Sequence, residues 1–385
     1  MIVYVTATLL ACLAAWTAGR DQSRRRLWIV ASALPLTIVA AARWGLGTDV
    51  DFLYLPHFLS VEWLHGGASP ELSDRLFRPL YEGLARRSFS GSPCDAAAVF
   101  LNNFNREECG YRWFVHGIVA CGGSFRWFVV LTSVITGALV SAAIWRQSRW
   151  PVLAVYFYVA TSNYFLSLNI VRQYIAIGFV LVALSFVLDR MPWRFLLLVG
   201  VGALFHRTAL LALPCLVLVR MDASPLWGGA AVLAAVAFSF VAEPVFRVVL
   251  PYVGAGFYVR YFDMRFAKDG FEWFFFAINL CFMVMGAWYW KRAKEENPLF
   301  RCWYWMTVVG TMALSLSATV PLMKRVNYYF AAPQFLMLPE MLLAEKSVRV
   351  RRWLVALAVA AFAAETAVAV FWLNKNEPLP YRTCP

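Results

Sequence analysis

The sequence predicts an all-α fold, a polytopic transmembrane helical bundle, and three observations predict it. Of 385 residues, 61% are hydrophobic and only 15% are charged, where a soluble domain carries about a quarter charged residues. Apolar runs of about 18–20 residues, the length that crosses a hydrocarbon core, recur along the whole chain. The short connections between those runs are basic. A chain this rich in Leu, Val, Phe and Trp is not disordered. The formal net charge of +13, which in a soluble protein would suggest nucleic acid, is here a question of which side the charges occupy.

The candidate spans are 1–19, 27–44, 125–145, 150–167, 170–188, 195–219, 225–245, 272–290, 300–319, 328–343 and 352–373, giving about 10–12 membrane segments in one domain, 1–385. The first run lacks a basic leading segment and a small-x-small site, so it is expected to be an anchor and not a cleaved signal. Basic groups follow at Arg20 and Arg24 to Arg26, at Arg146 and Arg149, and at Arg190 and Arg194. Further groups stand at Lys291, Arg292, Lys294 and Arg301, and at Lys346, Arg349, Arg351 and Arg352. Placing all of these in the cytoplasm satisfies the positive-inside rule and puts both termini outside. The cytoplasmic side then holds 17 of the 35 Lys and Arg and 7 of the 22 acids. The excess is orientation signal.

Parity requires a repair near 195–219. The favoured one is a broken or re-entrant helix pair with Phe205–Thr208 at its apex. The competing one is a half-span through 246–258. Irregular backbone at membrane depth lines a cavity or is buried in protein, so either repair places a cavity there. Two segments fall outside, 45–124 and 246–271. The first is expected to carry amphipathic helices on the membrane surface, with Tyr54, Phe58, Trp63, Leu76, Leu80 and Leu84 on their apolar faces. Cys94, Cys109, Cys121 and Cys384 fall on the same side, where disulfides form. Cys94–Cys109 is the pair to test, against the alternative of free thiols. No Cys/His spacing offers a metal site.

Some charges interrupt or border apolar runs, where an ionisable group is costly. Arg172 starts a helix in NIVRQYIAIGF, flanked by Asn169 and Gln173. His206 and Arg207 interrupt 195–219. Lys324 and Arg325 stand in VPLMKRVNYYF, with Tyr328 and Tyr329 following Arg325 at i+3 and i+4 on one face. Three cationic elements thus end at one leaflet level, and an anionic head group is their natural partner, since Arg presents a planar fork to phosphate oxygens. The bland alternatives are snorkelling arginines, a packing histidine and an aromatic belt. Asp49 and Asp51 spell a DxD that resembles a nucleotide-sugar site, but outside the cell no nucleotide sugar is at hand, so that reading is rejected. Asp49 pairs with an arginine, accepts from a substrate hydroxyl or, as the bland alternative, caps a helix. Glu107 and Glu108 read as favouring the dipole of the helix they precede, and Glu365 as pairing within the bundle.

These residues, in this order, resemble the EpsG/Wzy family of polysaccharide polymerases, membrane proteins of capsule, exopolysaccharide and O-antigen assembly. Arg43 with Gly47-Thr48-Asp49 is similar to the family's R…GTD element, and Glu108-Cys109-Gly110-Tyr111 to its E-x-G-[FY] element. Asn169-x-x-Arg172-Gln173 is similar to the central element. Leu204-Phe205-His206 with Ala209 and Pro214 resembles LFHxSALxxLP, although Arg207-Thr208 replaces an aromatic or small residue and a Ser. Arg325-x-x-Tyr328-Tyr329-Phe330 and Pro380-Tyr381-Arg382 resemble the late elements. Residues 50–107 match nothing.

The resemblance implies a metal-independent glycosyltransferase of the GT-C type, without cofactor or nucleic-acid partner, in the bacterial cytoplasmic (inner) membrane with its site facing the periplasm. Polyprenyl-diphosphate-linked oligosaccharide is then donor and acceptor, the bilayer is a partner, and a chain-length regulator is another. In that reading Arg172 and Arg325, with Gln173, Tyr328 and Arg207, hold the pyrophosphate. His206 is the base, and Asp49 is the reserve base or an orienting group. Rival classes are an O-antigen ligase on the same donor, separated by whether product grows on polyprenyl diphosphate or moves to a lipid core; a transporter or flippase, which would want basic residues across both leaflets; and an acyltransferase, which leaves the outer arginines unexplained.

Overall fold

A computed structural model describes residues 1–44, 46–47, 49–66, 101–189, 192–252, 256–263, 271–376 and 378–383. Thr48, Cys94, Arg190, Cys384 and the positions Leu76, Leu80 and Leu84 lie outside the described residues, and with them the Cys94–Cys109 pair. The described chain is helical throughout, apart from one isolated bridge between Arg43 and Thr383. That follows from apolar composition, because in lipid a helix satisfies its backbone groups within its own segment.

Helices α1 (Ile2–Arg20) and α2 (Arg25–Ala42) form a hairpin that packs on α5 (Phe125–Gln147). Between them in sequence come a π segment (Val50–Tyr54) running into α3 (Leu55–Leu64), and α4 (Cys109–Ala120). Next are α6 (Pro151–Ala160) and α7 (Asn163–Asn169), bent by 53° at Ser162, which takes a left-handed φ of 60°. Then follow α8 (Val171–Leu184), α9 (Pro192–Phe205), a 3-10 stretch (Arg207–Ala212) and the short α10 (Cys215–Leu218). The long α11 (Leu226–Tyr252) runs past the expected end at 245, so the exterior segment written as 246–271 begins as helix. The second half holds α12 (Trp273–Trp288), α13 (Trp290–Glu296), α14 (Leu299–Ser315), α15 (Met323–Ala331), α16 (Gln334–Leu343) and α17 (Val348–Thr366).

Five of the described helices are long and apolar enough to cross a membrane, or seven if each bent pair is one span, with shorter apolar helices beside them. Their outer faces expose Leu9, Leu13, Ile38, Leu233, Phe240, Val284 and Leu357, as lipid-facing helices do. The main core gathers small residues of α1, such as Ala11 and Ala18, with large ones of α6, α14 and α16, such as Phe157, Trp303 and Phe335. Of the 45–124 segment, the described residues expected on a surface face turn largely inward. Tyr54, Phe58, Val61, Phe104, Tyr111 and Val115 close into a second apolar core over the ends of α5 and α8. Of the surface positions expected, Trp63 stays exposed. Aromatic side chains bury large areas and pair edge to face, as Tyr54 does with Tyr111, Phe58 with Phe125 and Phe104 with Tyr111.

The two ends of the bundle differ in their polar contacts. At one end the basic connections meet: Arg25 donates to the Ser148 carbonyl at 2.6 Å, Arg146 to Ser185 Oγ at 2.6 Å, and Arg194 lies over Phe186. Arg149 bridges Glu296 and Glu340, each at 2.6 Å. The opposite ends of α5, α8 and α9 carry Phe125, Arg172 and Phe205, and there the exterior segment docks.

Candidate active site

The break expected near 205–208 falls at His206. Helix α9 stops at Phe205, His206 is extended (φ −156°, ψ 110°), and the chain resumes as the 3-10 stretch. A histidine and an arginine in mid-run expose polar atoms that an unbroken apolar span would leave unpaired. The break is filled from α4. Gly110 makes this possible: a Cβ there would stand 2.7 Å from Leu204 Cβ and 2.8 Å from the Leu204 carbonyl oxygen. Only glycine lets the first turn of α4 press on the last turn of α9, and this contact brings Glu108 to His206.

Glu108, whose side chain is 7% exposed, is the hub of the site. Its Oε1 lies 3.3 Å from His206 Nδ1 and accepts from the Arg207 backbone N–H at 3.1 Å and from Arg207 Nε at 3.3 Å. Its Oε2 accepts from Arg172 Nη1 at 3.1 Å, and the same Nη1 donates to Glu107 at 2.5 Å. Burial pushes the Glu108 carboxyl up, but the contacts to His206, Arg172 and Arg207 outweigh it and hold the group well below the ordinary carboxylate range. An ionised carboxylate only accepts. Nδ1 of His206 therefore carries the proton in the neutral ring, and Nε2 presents a lone pair.

Arg172 is enclosed. Its guanidinium lies 4.6 Å from the Tyr111 ring centroid and 5.8 Å from that of Tyr54, and its Nε is buried without a partner among the described residues. Gln173 donates to the Arg325 carbonyl at 2.8 Å, tying α8 to α15. The Arg325 side chain itself is exposed and makes no ion pair with a described residue. Arg207 is 60% exposed at its side chain. Asp49 belongs to the same group: burial raises its carboxyl, opposed by the charges of Arg325, Arg172 and His206. It is held by its backbone N–H, which donates to Asn169 Oδ1 at 2.9 Å. Gly47, at φ 95°, lies so close to Asn169 that a Cβ would stand 3.1 Å from its Cα. No side-chain capping bond is made by Asp49.

The structure thus gathers Arg172, Gln173, Arg325, His206, Arg207 and Asp49, with two departures from the sequence reading. Arg172 is not open to a ligand at Nη1, since Glu107 and Glu108 occupy it. Tyr328 is elsewhere. Successive helical residues are about 100° apart, so Tyr328 and Tyr329 diverge to either side of Arg325. Tyr329 bonds Thr208 Oγ1 at 3.1 Å, while Tyr328 lines a separate cavity beside Lys324.

Sequence reasoning missed Glu108. It stands at the N-cap of α4, where the dipole favours it, but its side chain makes no capping bond and reaches His206 instead. Its signal was the glycine two residues on, which marks a close approach.

The EpsG family model matches residues 26–383, nearly the whole chain. No curated protein and no solved structure matches it.

Proposed function

The chain belongs to the EpsG family, a family of polysaccharide synthesis, and from that premise we propose that it joins polyprenyl-diphosphate-linked oligosaccharide units into polymer at the outer face of the cytoplasmic membrane. The observation that carries the reading is the Glu108 carboxylate holding His206 Nδ1 beside the exposed guanidinium groups of Arg325 and Arg207. In the transfer, the bond between the anomeric carbon and the pyrophosphate oxygen breaks and a new bond forms to the acceptor hydroxyl oxygen. His206 Nε2 takes the hydroxyl proton, and Glu108 stabilises the imidazolium that results. The electron pair of the broken bond leaves with the pyrophosphate, whose charge Arg325 and Arg207 meet. Preorganised charge of this kind is a large catalytic term. Arg172 acts through Glu108 as a positioning residue, and its enclosed charge adds to the field. Asp49 orients the exposed cations or a sugar hydroxyl.

The test is purified protein in lipid discs, incubated with a synthetic polyprenyl-diphosphate repeat unit and scored for a ladder of products. Wild-type protein is expected to give the ladder. Arg325→Ala is expected to insert normally and to give none, and Arg172→Lys to be weak, because one ammonium does not reproduce a fixed fork of donors. A normal ladder from Arg325→Ala would sink the assignment of the leaving-group site. Product found only on a lipid core would replace polymerase by ligase.

A further inference from the structure

Across α15 from this site lies a cavity of about 360 Å³, within the roughly 300–1,000 Å³ range of small-molecule sites. The mechanism above makes no use of it. Its walls share elements with the site: α15 supplies Lys324, Asn327 and Tyr328, and α7 supplies Asn163, whose Oδ1 accepts from Tyr174 of α8 at 3.0 Å. Lys324 pairs with Glu272, just before α12, on its wall.

The lining is polar and carries both acidic and basic groups. Glu272 and Glu365 line it with Lys324 and Lys375, unlike the leaving-group side with its exposed Arg325. One wall is a preformed chain of amides. Gln334 Nε2 donates to Asn279 Oδ1 at 2.8 Å, and Asn279 Nδ2 donates to Asn327 Oδ1 at 2.9 Å, all three residues being at least nine-tenths buried. The other wall leaves groups in want of partners. Ser162 Oγ and Glu365 Oε2 are buried near each other, and neither completes a hydrogen bond with good geometry among the described residues. Buried polar atoms are paired in nearly all proteins, so a ligand hydroxyl set between the two would complete both. A strained residue marks the same spot, since Ser162 is the left-handed hinge between α6 and α7, and such strain clusters at ligand sites.

We propose that this cavity is a carbohydrate subsite, which holds an uncharged sugar unit of the saccharide chain with Glu365 and Ser162 accepting from its hydroxyls. Mixed amide donors and acceptors, a buried carboxyl group and the Phe362 and Tyr328 rings suit a polyhydroxylated neutral ring. The inference rests on the polymerase reading for the identity of the chain but not for its test.

The test measures binding alone. Methyl glycosides of glucose, galactose and N-acetylglucosamine are added to the full chain in lipid discs and followed by saturation-transfer NMR. At least one is expected to bind. Glu365→Gln, isosteric and retaining the fold, is expected to weaken it several-fold, the worth of one buried hydrogen bond. Ala331→Trp fills the cavity while leaving Glu365 in place, and is expected to abolish binding, with folding checked by gel filtration and circular dichroism. Arg325→Ala is expected to bind sugar as wild type does. No binding of any glycoside, binding unchanged in both cavity variants, or displacement by glycerol phosphate would each overturn the subsite. Intact sugar binding in a protein that makes no ladder would instead sink the polymerase reading.

Discussion

Each end of the bundle holds a buried carboxylate against an arginine, and the two arrangements do different things. At the end where the basic connections meet, Glu340 is fully buried and takes Arg149 both through its side-chain Nε and through its backbone N–H at 3.0 Å. Both oxygens of Glu340 have a protein partner there, and Arg149 passes on to Glu296. At the other end Glu108 gathers Arg172, Arg207 and His206, yet the arrangement stays open. His206 keeps Nε2 unoccupied among the described residues, and Arg325 stands exposed beside it. A closed pair fixes helices; a hub with an unspent base and an unspent cation is fitted to chemistry. Burial and pairing alone do not separate the two, whereas the groups left over do.

The largest expected effect tests that contrast directly. Glu108→Gln leaves His206 without the acceptor that sets its tautomer, and polymer formation is expected to fall by roughly 10³–10⁴-fold with the protein still inserted. Glu340→Gln removes the charge of the buried partner while Arg149 stays half-exposed to water, at a cost of roughly 1–3 kcal/mol. It is expected to lower thermal stability and yield while the folded fraction turns over at nearly the wild-type rate. Product per folded molecule, set beside a melting curve for each variant, separates them. Equal losses of rate in both would erase the distinction between the two ends.

Gly110→Ala sharpens the comparison at a distance from the chemistry. The added methyl meets the Leu204 backbone, so α4 must shift from α9 and draw Glu108 off His206. A misplacement of about 1 Å costs on the order of 10²-fold in rate. His206→Ala combined with Gly110→Ala is expected to be little worse than His206→Ala alone, because both changes break one contact. Multiplying effects in the double variant would show that Gly110 acts elsewhere.

Much of this was legible in the sequence, for a physical reason. Arg172, His206 and Arg207 interrupt or border apolar runs, and a charge in such a place requires an explanation. The helix break at His206 follows from the same cost. What stayed hidden was pairing across the chain: Glu108 meets groups 64 and 98 positions away, and two glutamates before a helix look like any favourable dipole. The fate of Tyr328 was hidden for a different reason. Two neighbours on one broad helical face still point about 100° apart, so Tyr329 meets Thr208 while Tyr328 turns to the cavity beside Lys324. The second core of the exterior segment was hidden by its own composition, since aromatic residues suit a membrane surface and a protein interior alike.

The smallest expected effect is on stability in acid, and it bears on Glu108 alone. Its folded carboxyl titrates below the ordinary glutamate value of about 4.3 because His206, Arg172 and the Arg207 N–H hold the charged form. A depressed carboxylate stabilises the fold above the unfolded value, and that contribution is lost as pH falls from there through the folded value. At neutral pH it is complete. Wild-type protein is therefore expected to melt above Glu108→Gln at pH 7 by a margin that holds down to about pH 5 and then narrows. The other carboxylates are common to both proteins and cancel in the difference. A margin constant from neutral pH to about pH 3 would mean that the Glu108 charge contributes nothing to folding and that its contacts are formed only at a site assembled by other forces.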